Sequence, residues 1–200
     1  MKRICVFCGS SYGNGKIYTE ATKKLGEVFV TNNLTLVYGG ANVGLMGVLA
    51  DQMLRLKGEV IGIIPGFMIE KGIAHTGLSG QIVVGSMHER KERMQTESDA
   101  FIAMPGGYGT IEEIFEMITW GQLNIHKKPC AFLNTNGYYD FMHEFLNHAV
   151  NEGFIEREFK DMVIFEEEPE VLIQRFFNYT HPIIDKAKIA ITKRNLKTGS

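Results

Sequence analysis

Only three cysteines, an odd number, occur in the 200 residues, which excludes a paired disulfide framework and fits a reducing, cytoplasmic setting. No apolar run approaches the roughly 20 residues that a membrane span needs. The stretch Ile4-Cys5-Val6-Phe7-Cys8 is too short for the apolar region of a signal peptide and reads as a first buried strand. An excess of charge of one sign is also lacking. A formal net charge of −2 offers no general attraction to nucleic acid or to an anionic membrane. Only the end is basic, around Lys186 to Lys197, and it reads as a solvated tail (181–200) behind a single domain over 1–180. Metal ligands are scattered. Cys5 and Cys8 lie three apart on a predicted strand and so face opposite ways, and His143 and His148 lie five apart, about 140° around a predicted helix. No metal site is expected.

What the chain does have is a regular alternation. Short β-rich apolar runs at 4–8, 34–38, 60–64, 82–84, 100–104, 130–133 and 162–165 read as strands. Between them, Ala21, Leu25, Val28 and Phe29 recur at helical spacing, as do Leu45, Leu49 and Met53. Ile111, Ile114, Phe115 and Ile118 form a further stripe, and Phe141, Phe145 and Val150 another. Strands that are apolar along their whole length, alternating with amphipathic helices, predict an α/β fold: a single-domain, doubly wound, Rossmann-like parallel sheet with helices on both faces. Ligands of such sheets bind outside the carboxyl ends of the strands, where strand order reverses. Glycine-rich turns fall at those ends: Gly9-Ser10-Ser11, Gly39-Gly40-Ala41-Asn42, and Pro105-Gly106-Gly107-Tyr108-Gly109-Thr110.

The usual nucleotide fingerprints are missing. Gly107-Tyr108-Gly109 is followed three residues later by Glu112, where a dinucleotide turn needs a small residue, and the second strand ends in glycines rather than an acid for the ribose. Gly15-Lys16 lacks both the earlier glycine and the following hydroxyl of a P-loop, with Ser10 and Ile17 at those positions. The turn at 105–110 remains, opening a helix. Its glycines let backbone N–H groups approach an anion, Thr110 adds a hydroxyl, and the helix N-terminus carries about half a positive charge. The alternative is a tight strand-to-helix turn capped by Thr110. Glu112, Glu113 and Glu116 follow within two turns. One helical turn is about 5 Å, roughly the distance from a 5′-phosphate to the anomeric carbon of a ribose, which suits chemistry there. Arg90 and Lys91, in the charged stretch 86–94, are the cations that could reach the ligand or pair with those acids.

Together, residues 86–93, 98–104 and 105–113 resemble the LOG family, the cytokinin-activating nucleoside 5′-monophosphate phosphoribohydrolases often mislabelled as lysine decarboxylases. The P-G-G-x-G-T-x-x-E motif is complete and ends at Glu113, and the family's arginine–lysine pair falls on Arg90 and Lys91. The segment from Tyr38 to Gly47 is similar too, with Ala41 in place of a third glycine. The resemblance implies hydrolysis of the N-glycosidic bond of a purine riboside 5′-monophosphate, giving free base and ribose 5-phosphate, without a cofactor. It implies Arg90 and Glu113 as catalytic residues. Substrate contacts would come from Glu70, Met87, Arg90, Lys91, Gly106, Gly107, Tyr108, Gly109, Thr110, Ile111, Glu112 and Thr119. It also implies a homodimer, with Met117 and Trp120 as apolar surface. A carboxylate near C1′ can stabilise an oxocarbenium-like sugar and orient water. Glu113 is expected to do so, kept ionised by Arg90 and by a place in the first helical turn. Two other readings compete: a decarboxylase, which would need pyridoxal phosphate on a lysine, and a non-catalytic nucleotide carrier or sensor on the same fold.

Overall fold

The computed structural model describes residues 1–182 and 191; the rest of the basic tail lies outside the described residues. The apolar runs become β1 (Arg3–Phe7), β2 (Thr35–Tyr38), β3 (Val60–Pro65), β4 (Gly80–Val84), β5 (Ala100–Ala103), β6 (Cys130–Leu133) and β7 (Val163–Glu166). They form one seven-stranded sheet in the order β4-β3-β2-β1-β5-β6-β7, with every pairing parallel. The expected doubly wound architecture is therefore present. After β4 the chain crosses back over the sheet to lay β5 beside β1, so strand order reverses between β1 and β5. That is where the rule for open α/β sheets places a ligand.

Alternation along the strands sorts two cores. Ile4, Val6 and Cys8 face one, with Leu36, Tyr38, Ile102 and Leu133; helices α1 (Ile17–Thr31), α2 (Gly44–Arg55) and α8 (Pro169–Phe177) cover it. Cys5 and Phe7 face the other, with Val37, Phe101 and Phe132, beneath α4 (Met87–Thr96) and α5 (Tyr108–Gln122). Cys5 and Cys8 thus lie on opposite faces, as strand geometry requires. Burial pushes both thiols up, so neither is primed as a nucleophile. Short α3 (Gly66–Glu70) follows β3, and α6 (Asp140–Asn151) and α7 (Arg157–Asp161) lie between β6 and β7.

Two helices sit rotated from the expected stripes. On α5 the buried line is Thr110, Ile114, Met117 and Gly121; Met117, expected as outer apolar surface, is 1% exposed and belongs to the core. On α6, Phe141 is 83% exposed, while Leu146 and Ala149 are buried. The cause lies just upstream. Tyr139 is locked beneath the sheet, its hydroxyl donating to Met104 O at 2.7 Å. Met142, Leu146 and Ala149, three, seven and ten residues further on, share its helical face.

Candidate active site

Arg90 enters from the first turn of α4, whose N-terminus is fixed by the Ser86 hydroxyl accepting from Glu89 N–H at 3.1 Å. Its guanidinium crosses the carboxyl ends of the strands. Nε donates to Ile63 O at 3.1 Å, and Nη1 meets Glu113 Oε1 at 2.9 Å. Both side chains are nearly closed off, 9% and 12% exposed. Gly39 makes the passage possible: a Cβ there would stand 2.1 Å from Arg90 Nη2. Its backbone is not in the left-handed region, so the glycine is required by space rather than by conformation. Gly39→Ala should fold, because the clash meets the far end of a flexible side chain, but it should push the guanidinium off Glu113. We expect at least about a tenfold loss of kcat/KM, since displacement of a positioned charge by an ångström or so is costly. Tm should be lowered only above the ordinary carboxylate range, where buried Glu113 would be left with a weakened counter-charge. Unchanged kinetics would show that the pair does not need this register.

Glu113 lies in the second turn of α5, not the first, because the helix opens at Tyr108 with Gly107 as N-cap. The expectation that its surroundings keep it readily ionised is corrected. Burial pushes its carboxyl above the usual carboxylate range, and the Arg90 guanidinium pulls it back only in part. Its neighbours are held by one lysine, with Lys91 Nζ donating to Glu112 Oε1 and, at 3.1 Å, to Glu116 Oε1. Burial alone would lower the Lys91 ammonium, but these carboxylates outweigh it and hold it above its ordinary value. The acids that would repel a phosphate are thus each paired with a cation. A lysine held protonated in this way is a poor imine former, which counts against a pyridoxal-linked decarboxylase.

The turn before α5 has the hydrogen-bonding pattern an anion cradle needs, with carbonyls paired and N–H groups left over. Its carbonyls are taken: Tyr139 donates to Met104 O, Gly9 N–H to Pro105 O, Tyr138 to Gly106 O, and Ile111 N–H to Gly107 O. Among the described residues no protein acceptor takes the N–H groups of Gly106, Gly107, Tyr108, Gly109 or Thr110. Thr110 is not the N-cap. It is buried, its Oγ1 lying 2.1 Å from where a Cβ on Gly106 would stand, so it props the turn from beneath. Tyr108 is 96% exposed at the rim.

Not every residue predicted for the site gathers here. Glu70 is exposed at the end of α3, and Met87 is exposed at the start of α4. Ile111 is half-buried beneath the turn. Thr119 is exposed, its hydroxyl donating to Phe115 O at 2.7 Å; it lies about 13 Å along α5 from Thr110. At the β1–β5 reversal, where the site was expected, a cavity of about 300 Å³ is lined by Ser10, Ser11 and Gly106 of the glycine-rich turns and by Tyr12, Tyr18 and Tyr138. Tyr138 escaped the sequence: it comes from a loop 32 residues beyond Gly106. Its only sequence signal was its place just after a strand. Larger hollows over α1 and α8, about 590 and 630 Å³, include none of the glycine turns. Among the described residues no His, Cys, Asp and Glu group gathers to hold a metal ion.

A parallel sheet with its order reversed at β1 and β5, an open anion cradle there, and a buried carboxylate–guanidinium pair one turn further along define a Rossmann-like protein equipped for a phosphorylated ligand. A family model described as "Possible lysine decarboxylase" matches residues 46–176. Among curated proteins, a probable cytokinin riboside 5′-monophosphate phosphoribohydrolase of Oryza sativa subsp. japonica, LOGL2, is 44% identical over 179 residues, covering 90% of this chain and 73% of its own. The Arabidopsis thaliana cytokinin riboside 5′-monophosphate phosphoribohydrolase LOG5 is 41% identical over 196 residues, covering 96% and 86%. The chain belongs to this LOG family. Solved structures agree on the fold: the molybdenum cofactor carrier protein of Chlamydomonas reinhardtii superposes with a TM-score of 0.65 at 18% identity, covering 89% of this chain and 99% of its own. The molybdenum cofactor binding protein of Rippkaea orientalis gives 0.66 at 21%, covering 89% and 97%.

Proposed function

We propose that this protein hydrolyses the N-glycosidic bond of purine riboside 5′-monophosphates, adenine or N6-modified adenine nucleotides, releasing the free base and ribose 5-phosphate. The observation that carries the reading is the buried Arg90–Glu113 pair standing one helical turn from the unpaired N–H groups of the cradle. With the phosphate on those N–H groups, C1′ comes beside Glu113. Its carboxylate stabilises the positive charge that develops as the base leaves and orients the attacking water. Arg90 holds that carboxylate in place and offsets part of the burial that works against its charge. Further along α5 the base reaches a groove of about 480 Å³ between α4 and α5, lined by His88, Lys91, Glu116, Trp120 and Ile125. A working homodimer is part of the proposal, supported by exposed Leu123 and Ile125 at the end of α5. So is a reducing cytoplasmic setting, which free, buried Cys5, Cys8 and Cys130 fit.

The test is base release from AMP and from isopentenyladenosine monophosphate, followed by chromatography, with sedimentation for the dimer. Free base together with ribose 5-phosphate is the expected result. Binding of both nucleotides with no base released would sink the hydrolase and favour a carrier or sensor.

A further inference from the structure

Gly106-Gly107 is the most freely rotating dipeptide in the cradle, since glycine accepts backbone conformations that other residues avoid. A flip of the peptide between them would turn the Gly107 N–H away from an anion and present the Gly106 carbonyl instead. Something must hold that plane. In a trans peptide the C=O and N–H point in opposite directions, and the described residues have no cis bonds. Pinning one group therefore aims the other.

The pin is Tyr138, whose hydroxyl donates to Gly106 O at 2.8 Å. Its ring is held edge-on against Tyr139, with centroids 4.9 Å apart, and against Tyr18 at 6.0 Å. The loop that delivers it is fixed in turn: Asn134 Oδ1 accepts from Tyr139 N–H at 2.6 Å, and Asn134 Nδ2 donates to Asp140 Oδ1 at 2.7 Å. We propose that Tyr138 is a positioning residue for the phosphate, fixing the Gly106 carbonyl so that the Gly107 N–H faces the ligand on the opposite side. This rests on the reading of the turn as a phosphate cradle.

The adjacent tyrosine supplies an internal control. Tyr139 makes the same kind of bond, to Met104 O at 2.7 Å. The peptide that follows Met104 leads into Pro105, which has no N–H to aim. Tyr139 is buried and Tyr138 is partly exposed, so the two hydroxyls should separate by effect. Loss of the Tyr139 hydroxyl strands a buried carbonyl and costs stability. Loss of the Tyr138 hydroxyl frees a peptide that water can reach and costs phosphate affinity.

AMP titrations and thermal unfolding of wild type, Tyr138→Phe and Tyr139→Phe test this. Tyr138→Phe should weaken AMP binding about fivefold, the scale of one net hydrogen bond, at nearly unchanged Tm. Tyr139→Phe should lower Tm by about 2–8 °C and leave the AMP Kd as in wild type. An unchanged AMP Kd in Tyr138→Phe, parallel losses in both variants, or no AMP binding by wild type would overturn the proposal. Wild type that binds AMP but releases no base, with the crossed pattern intact, would overturn only the hydrolase.

Discussion

Glu113→Gln should leave the protein folded and its hold on phosphate intact while base release falls about a hundred- to a thousandfold, the range for removal of one preorganised charge. Gln keeps the shape and can still accept the 2.9 Å bond from Arg90, but it offers no negative charge to a developing oxocarbenium ion. Stability should move the other way. In the folded protein burial raises the Glu113 carboxyl above its ordinary value, with Arg90 offsetting only part. The folded state therefore binds this proton more tightly than the unfolded state does, and stability falls as pH rises from the ordinary carboxylate value through the raised one. Gln carries no such penalty. The Tm of Glu113→Gln should equal or exceed that of wild type at neutral pH, with the difference closing below about pH 4.5, where both side chains are neutral. The wild-type rate should show its acid limb above the usual carboxylate range. A variant that keeps its turnover would remove Glu113 from the chemistry, and one that loses Tm at neutral pH would show that the carboxylate stabilises the fold.

The sheet was legible because its central strands are apolar along their whole length, from Ile4 in β1 to Leu133 in β6, a pattern few other folds produce. Helix positions were legible for the same reason, but helix rotation was not. On α6 two apolar stripes compete, and the choice is made by Tyr139, whose lock to Met104 O joins residues 35 apart. The larger Phe141 and Phe145 consequently stand outside. At the site, the cradle and the Arg90–Glu113 pair were readable as residue types at the ends of predicted strands. Their energetics were not, because the buried state of Glu113 depends on Arg90, Gly39 and Ile63 O converging from three other elements. Tyr138 was invisible for a similar reason: nothing local marks a tyrosine whose task is to hold a carbonyl 32 residues away.

Arg90→Met should abolish detectable base release, a loss of about three orders of magnitude or more, because it removes a charge from the site and the charge state of Glu113 with it. The cause that lowers the Glu113 carboxyl would be gone and burial would act alone, so the carboxyl becomes neutral over a wider pH range. Folding should suffer in two distinguishable ways. Ile63 O loses the Nε donor at 3.1 Å, a pH-independent cost of about 1–3 kcal/mol for a stranded buried acceptor. Glu113 loses its counter-charge, a cost that is absent at low pH, where the carboxyl is neutral folded or unfolded. That second cost grows as pH rises from about 4.5 towards the further-raised folded value, since over that interval the folded state keeps a proton the unfolded state gives up. Thermal unfolding of wild type and Arg90→Met across that pH range separates the two costs. Arg90→Met/Glu113→Gln should recover the pH-dependent part, with no buried carboxyl left to charge, while remaining inactive. A Tm deficit of the same size at every pH would mean that Arg90 supports the strand end through Ile63 alone and that some other group sets the charge on Glu113.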